Sequence, residues 1–299
     1  MNIIAKRKYF FILSLLVIIP GLLSLVFYGL TLAIDFSGGS RFEIQNKNFN
    51  SPAVKLEVSA IIVQTGASMS SIQQSGQNIY IIRTKPVNQK IHNKILSSLN
   101  NQFGGVKEIS FETVGPTIGS ETTTNAFKSV IVAALLIIIY IAWSFRKVPK
   151  PASSWRFGVC AIIALIHDVL VVIGIFSILG HFLHVEIDSL FVTAILTIIG
   201  FSVHDTIVVF DRIRENLRRT PRSTFEVVVN DSILQTLGRS LNTSLTVLLV
   251  LFSLLLFGGA STQWFIVALI VGIVSGTYSS IFNAAPLLVI WEDLMNRKK

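Results

Sequence analysis

Residues 189–210, SLFVTAILTIIGFSVHDTIVVF, decide the fold class of this chain. The stretch is largely apolar and long enough to cross a bilayer, because a hydrocarbon core of about 30 Å needs about 20 helical residues. It nevertheless carries a carboxyl group, that of Asp205, well inside the apolar run. A charged side chain at mid-membrane costs about 2.5–3.5 kcal/mol on insertion scales, so such an acid faces a bundle interior or a water-filled cavity. The stretch predicts a transmembrane helix that carries a functional side chain.

Five further stretches have the same apolar character, at 9–30, 126–145, 157–179, 241–257 and 264–291. Hydrophobic residues make up 52% of the chain and charged residues only 14%. A soluble domain carries about 25% charged residues. The composition and the six stretches together predict an α-helical membrane protein with six transmembrane helices.

Basic residues lie beside the apolar stretches in four groups, within 6–8, 146–156, 212–222 and 297–299. Cytoplasmic loops of membrane proteins carry an excess of Lys and Arg. Six spans put all four groups on the cytoplasmic side, with both termini there, whereas five or seven spans do not. The net charge of +9 is therefore a topology signal, and we expect a lipid bilayer and no nucleic acid as the partner of this charge.

Residues 31–122 have the mixed composition of a folded domain outside the membrane. Alternating residues predict strands at 41–45, 68–73, 78–85 and 106–113, and helical spacing predicts helices at 53–64 and 88–103. This order, β-α-β-β-α-β, predicts a ferredoxin-like α+β domain.

The predicted domain organisation follows from these spans. Residues 1–30 form the cytoplasmic N-terminus and transmembrane helix 1, and residues 31–122 form an extracytoplasmic (periplasmic) domain inserted between helices 1 and 2. Residues 123–299 form helices 2–6 with a cytoplasmic C-terminus. Within them we predict a cytoplasmic loop at about 211–240, with one or two surface helices separated by Pro221.

Known catalytic and metal-binding motifs are missing from the sequence. No G-x-x-x-x-G-K-[ST] loop, nucleophile elbow or H-E-x-x-H motif is present, and the single cysteine, Cys160, lies inside an apolar run. We therefore expect no enzyme activity, no ATP hydrolysis, no metal and no cofactor. The candidates for function are ionisable groups inside the membrane.

Asp205 is the sharpest of these candidates. Desolvation disfavours an ionised carboxyl and a nearby cation favours it, so a site that alternates between the two environments can load and release a proton. A static ion pair or hydrogen bond inside the bundle is the alternative. On the same helix Thr193, Thr197, Gly200 and His204 share one face, which suits either a wet face or close helix packing.

Asp168, preceded by His167, is a second acid inside an apolar stretch. His167 and His204 either relay protons, because histidine titrates near neutrality, or make structural hydrogen bonds. Arg239, at the start of the fifth stretch, either keeps its head at the interface or turns inward to pair with Asp205.

Six short motifs, in this order, resemble those of one family. They are IDFSGGS at 34–40, VGP at 114–116, ALIHDV at 164–169, SVHDTIVVFDRIREN at 202–216, RSLNTS at 239–244 and LFGG at 256–259. The chain resembles the SecF family, the smaller membrane subunits of bacterial SecDF protein-export complexes in the resistance-nodulation-division superfamily. The resemblance covers nearly the whole chain.

The resemblance implies a subunit of the bacterial cytoplasmic (inner) membrane that pairs with SecD in a twelve-helix bundle. Such complexes associate with the SecYEG channel, and with YajC and YidC, and use the proton-motive force to draw translocating unfolded polypeptide outward. Protons are then the coupling ion, with sodium as an alternative.

By motif, the resemblance implies that Asp205 carries the proton and that Arg239 works with it, with Asp168, His204 and Thr206 as further candidates for the proton pathway. His204 stands where the family often has Asn, and Ser240 replaces the commoner Thr. Gly38 and Gly39 are either a hinge for the external domain or an ordinary tight turn.

Two other functions remain open at this point. A small-molecule or lipid transporter of the same superfamily usually carries two repeats in one chain, whereas this chain carries one. A purely structural scaffold for the translocon would tolerate neutralisation of both Asp205 and Arg239.

Overall fold

The computed structural model describes residues 2–49, 52–74, 78–146, 153–220 and 222–296. Some residues used in the predicted topology lie outside the described residues, namely Lys147, Lys150, Pro221 and residues 297–299. The chain folds as two compact units, one of residues 1–31 and 128–299, here called the membrane unit, and one of residues 32–127, here called the sheet unit.

The described residues form helices and strands in the following chain order: α1 (Arg7–Tyr28), α2 (Ile34–Ser37), β1 (Gly39–Gln45), α3 (Pro52–Gln64), β2 (Met69–Gln74), β3 (Ile79–Thr84), α4 (Gln89–Phe103), β4 (Lys107–Val114), α5 (Pro116–Ser144), α6 (Ser154–Leu183), α7 (Ser189–Arg219), α8 (Phe225–Phe257), α9 (Gln263–Ser279) and α10 (Ala285–Asn296). A π-helical turn, Ser280–Ala284, joins α9 to α10. Within these ranges six segments are long and apolar enough to cross a membrane, namely α1, α5, α6, α7, α8 and the joined α9–α10. The predicted number of spans is confirmed.

The membrane unit has α6, α7 and α9–α10 at its centre. These segments are half buried or more, whereas α1, α5 and α8 expose most of their apolar surface. Small residues let the helix backbones approach closely. A Cβ atom at Gly174 of α6 would lie 2.8 Å from the Cα of Gly21 in α1, and one at Gly276 of α9 would lie 3.1 Å from the Cβ of Ser202 in α7.

An aromatic cluster attaches α5 to this centre. Phe145, just after α5, packs against Phe157 of α6 and Phe210 of α7, with ring centroids 5.5 and 5.8 Å away, and all three side chains are fully buried. Arg214 of α7 also donates to the carbonyl of Ser144, at 3.1 Å. Because most of α5 is exposed, this end of the helix carries much of its packing.

The segment predicted as a cytoplasmic loop at about 211–240, with one or two surface helices, is helical on both sides of a break at 220–224, and these helices are continuations of α7 and α8. The polar stretch is amphipathic, and its apolar residues Ile213, Leu217 and Ile233 are buried. A packed apolar face allows both helices to run on past the apolar stretches. On the outer side, Glu215 pairs with Arg219 at 2.7 Å, which adds local support.

The sheet unit is an antiparallel sheet in the order β2-β3-β1-β4, with α3 and α4 sharing its core. Alternate strand residues such as Phe42, Ile44 and Ile82 are buried against Ile95 and Leu99 of α4. Each strand and helix predicted between 41 and 113 is found within about two residues of its predicted bounds. Helix α5 starts at residue 116 rather than 126, so it crosses the predicted domain boundary at 122.

Candidate functional site

Asp168 lies at the centre of the membrane unit and is fully buried. Three serine hydroxyls donate to its carboxylate: Ser202 of α7 at 2.5 Å, Ser275 of α9 at 2.7 Å and Ser279 of α9 at 2.6 Å. Ser275 and Ser279 are one helical turn apart and therefore project from the same face of α9. Three helices thus meet at one carboxylate.

His167 extends this network to α1. Its Nδ1 lies 3.0 Å from Asp168 Oδ1, and its Nε2 lies 3.1 Å from the Ser14 hydroxyl. The Asn283 amide donates to Ser14 at 2.8 Å. The hydrogen bonds are mutually consistent if Nδ1 carries the proton and donates to Asp168, while Nε2 accepts from Ser14. Asp168 then accepts four hydrogen bonds, as many as the two oxygens of a carboxylate have acceptor sites for.

Asp205 is as deeply buried, with 2% of its surface exposed, but its surroundings differ. Among the described residues, its carboxylate receives one hydrogen bond, a 3.4 Å contact from the Thr277 hydroxyl. Thr277 lies 2.5 Å from the Ser244 hydroxyl of α8. The charged form of Asp205 therefore has little hydrogen-bond support within this chain.

Thr206 belongs to a third polar contact beside the two acids. Its hydroxyl lies 2.8 Å from that of Ser280, which also donates to the backbone carbonyl of Ser202 at 3.3 Å. Residues 275–280 of the last span thus contact both acid-bearing helices. Our sequence reasoning missed these hydroxyls, although the run SGTYSS inside an apolar stretch was a usable signal.

His204 and Arg239 lie on the outer surface of the membrane unit instead. His204 is exposed together with Thr193, Thr197 and Gly200, so the stripe predicted on this helix faces outward. Arg239 is exposed on α8 and, among the described residues, makes no ion pair with Asp205. Within one chain, Asp205 is buried and Arg239 is exposed.

Gly38 and Gly39 lie at the start of β1 in the sheet unit. Their φ angles are +68° and +129°, a range that L side chains rarely adopt. A Cβ at Gly38 would lie 3.1 Å from the Cα of Pro116, and one at Gly39 would lie 2.8 Å from the carbonyl oxygen of Thr84. The pair permits a close backbone approach, and its role as a hinge stays a prediction.

Six apolar spans with two carboxyl groups buried among hydroxyls are typical of multi-pass membrane proteins that carry functional ionisable groups inside the bilayer. The family model for the C-terminal part of the protein export membrane proteins SecD and SecF matches residues 94–294, and that for the SecD/SecF GG motif matches residues 23–45. The chain belongs to the SecF family of protein translocase subunits.

Three known proteins illustrate the similarity. The protein translocase subunit SecF of Thermobaculum terrenum is 48% identical over 98% of this chain and 94% of its own length. The fused subunit SecDF of Bacillus subtilis is 36% identical, with 96% of this chain matching 38% of the fused one. The crystal structure of SecDF from Thermus thermophilus, a translocon-associated membrane protein, has 33% identity and a TM-score of 0.84 over 98% of this chain. This chain covers 39% of that structure's length.

Proposed function

We propose that this chain is the SecF half of a SecDF-type complex that uses the proton-motive force to promote protein export through the SecYEG channel. The observation that carries the proposal is the contrast between the two acids, because Asp205 is buried with one long hydrogen bond while Asp168 has four donors. A carboxyl group with little fixed support can change its charge when its surroundings change. Asp205 is the group that loads and releases the proton.

A SecD-type partner covers the exposed side of α7 and α8 that carries His204, Arg239 and Asn242. The exposed threonines of α7 donate to carbonyls of their own helix and so tolerate lipid, but His204 and Asn242 are exposed without such a bond among the described residues. Polar side chains of membrane spans face protein or water rather than lipid. The fused relatives carry additional chain of the kind that could cover this face. Arg239, on the same exposed side, then works with Asp205 in the assembled complex.

The energy available fits a two-state movement. One charge moved through about 100 mV yields about 2.3 kcal/mol. That free energy changes the ratio of two conformations by about 50-fold.

The sheet unit, read as a ferredoxin-like domain outside the cytoplasm, is the part that contacts the emerging unfolded polypeptide. Both termini lie in the cytoplasm, the bilayer is the bacterial inner membrane, and YajC and YidC are further partners of the complex.

The test replaces Asp205 by Asn in the full-length chain, produced with its SecD partner in a bacterium that lacks its own SecF. We expect a preprotein to be exported only at the rate seen after the gradient is collapsed, while the partner still co-purifies. Ser129→Val is the control, because Ser129 is exposed on α5 and lies on neither α7 nor α8. Gradient-stimulated export at the wild-type rate in Asp205→Asn would reject proton loading at this residue. Varying the proton and sodium gradients separately identifies the coupling ion.

One observation favours a second candidate, the transporter half for a lipid or small apolar molecule. A cavity of about 400 Å³ between α1, α6 and α9 has an almost wholly apolar lining that includes Leu13, Val17 and Ile175, with His167 and Tyr278 among its polar residues. Such a volume and lining are typical of sites for apolar ligands. A lipid that co-purifies in stoichiometric amount and is moved between leaflets by the reconstituted complex would favour this candidate.

A further inference from the structure

Helix α8 carries four buried hydroxyl groups at intervals of four residues, here called the hydroxyl ladder. Ser232, Thr236, Ser240 and Ser244 are exposed by 0%, 7%, 1% and 4% respectively. Residues four apart lie on one helical face, so the ladder is a continuous polar line on a helix that is otherwise largely apolar. Small hydroxyl residues also allow close helix packing. The hydrogen bonds at the two ends of the ladder, and the hydroxyl in its interior that is unpartnered within the described ranges, point to a further role.

One end of the ladder is at Asp205. The Ser244 hydroxyl lies 2.5 Å from that of Thr277, and Thr277 is the hydrogen-bond donor to Asp205. Thr277 has a single proton and an alternative acceptor, the Ile273 carbonyl at 2.9 Å. Ser244 likewise has an alternative acceptor, the Ser240 carbonyl at 2.9 Å. These hydroxyls can therefore turn to suit either protonation state of Asp205.

The other end of the ladder reaches the exposed, polar end of the bundle near residues 220–224. The Asn216 amide donates to the Ser232 hydroxyl and to Gln235, each at 2.9 Å. Arg212 donates to the same Gln235 oxygen at 2.6 Å, and Gln235 is exposed. Ser232, the first hydroxyl of the ladder, is thus linked through Asn216 and Gln235 to groups at the exposed end of the bundle.

Ser240, in the interior of the ladder, breaks the pattern of its neighbours. Ser232, Thr236 and Ser244 each donate to the carbonyl of the residue four positions earlier. The Ser240 hydroxyl is buried and finds no hydrogen-bond partner among the described residues. A buried polar group without a partner is unfavourable, and bound water commonly satisfies such groups in proteins.

We propose that the hydroxyl ladder is the proton path between Asp205 and the end of the bundle that carries the α7–α8 turn, with a water molecule held at Ser240. This rests on the proposed function, since it names the route by which Asp205 exchanges its proton. In each step one O–H bond of a carrier, Asp205 or water, breaks as another forms, and the charge passes as hydronium. The serine and threonine hydroxyls orient the water by hydrogen bonds and do not themselves gain or lose a proton.

The test measures gradient-dependent proton flux and preprotein export in vesicles that contain the full-length chain with its SecD partner. Ser240→Val fills the space of the water, and we expect flux to fall about tenfold, because the path then loses a hydrogen-bonded carrier. Ser240→Ala leaves that space and should lower flux less. Ser129→Val removes an exposed hydroxyl from α5, outside the ladder and outside α7 and α8, and should change nothing.

The outcomes separate this proposal from the proposed function. If Asp205→Asn leaves gradient-driven export intact, the proposed function fails. If Asp205→Asn abolishes flux while Ser240→Val and Thr236→Val both keep wild-type flux, only the ladder is overturned. Should Ser240→Val fail to assemble, the double variant Ser240→Ala with Thr236→Val decides the question, and wild-type flux in that variant overturns the ladder.

Discussion

Replacing Asp168 by Asn should strongly destabilise the membrane unit, whereas the same change at Asp205 should not. Asp168 accepts hydrogen bonds from Ser202, Ser275, Ser279 and His167 in a fully buried site. An asparagine keeps one acceptor oxygen and places an NH₂ group against donors at the other position. At least two of the four donors then lose their acceptor.

The expected size follows from those contacts. A hydrogen bond to a charged group contributes about 1.5–3 kcal/mol, so two lost bonds cost about 3–6 kcal/mol. The lower half of that range is favoured, because Ser279 can turn its hydroxyl to the Gly276 carbonyl at 3.2 Å. Asp205→Asn removes a single 3.4 Å contact from Thr277 and should cost less than about 1 kcal/mol.

Cys160 provides the assay. It is the single cysteine of the chain and is fully buried in α6, so its reaction with a maleimide reports the opening of the membrane unit. Unfolding would be followed in mixed micelles of increasing SDS content for the wild type and both variants. If Asp168 held a proton permanently, asparagine would replace a neutral carboxyl group of the same shape. A loss below about 1 kcal/mol for Asp168→Asn would therefore refute the assignment of four hydrogen-bond donors to this carboxyl group.

Three further predictions concern packing and charge. Gly174→Ala places a Cβ 2.8 Å from the α1 backbone and should cost about 1–3 kcal/mol in the same assay, whereas Gly158→Ala, on the same helix in open space, should be neutral or stabilising. Phe157→Ala should cost about 3–5 kcal/mol and loosen α5, which protease sensitivity of that helix would show. Burial, and then Arg41 across the β1–β3 pair, lowers the pKa of Arg83 to about 10. Arg41→Gln should therefore raise the pKa of Arg83, which NMR titration of the guanidinium would measure.

Much of the architecture was predictable because it depends on local patterns. Six apolar stretches identified six spans, and periods of two and of about 3.6 residues located the elements of the sheet unit. In the polar stretch at 211–240 the sequence predicts one or two helices, but not that they continue the apolar spans. The low hydropathy of this stretch marks where lipid ends, but a helix ends only where its packing or hydrogen bonding ends, and buried residues such as Ile213 and Ile233 keep α7 and α8 intact.

The site was predictable only in part. An acid in an apolar stretch stands out, so Asp168 and Asp205 were identified from sequence. The hydroxyls around them were not, because a serine or threonine in a membrane helix can satisfy itself by donating to its own helix, as Thr246 does. Only the crossing of α9 over α6 and α7 distinguishes Ser279, which donates to Asp168, from such self-satisfied residues.

The geometry of α9 explains why two acids so near in the structure have such different surroundings. Ser275 and Ser279 lie on the face toward Asp168, whereas Thr277 points to Asp205 and Ser280 to Thr206. A single helix therefore contacts both acid-bearing helices, because Thr277 is two residues from Ser275 and from Ser279 and so projects from a different face of the regular helix. Gly276, between Ser275 and Thr277, packs closely on Ser202 of α7. Helix α9 thus contacts one buried carboxyl group that has four hydrogen-bond donors and a second that has a single long hydrogen bond.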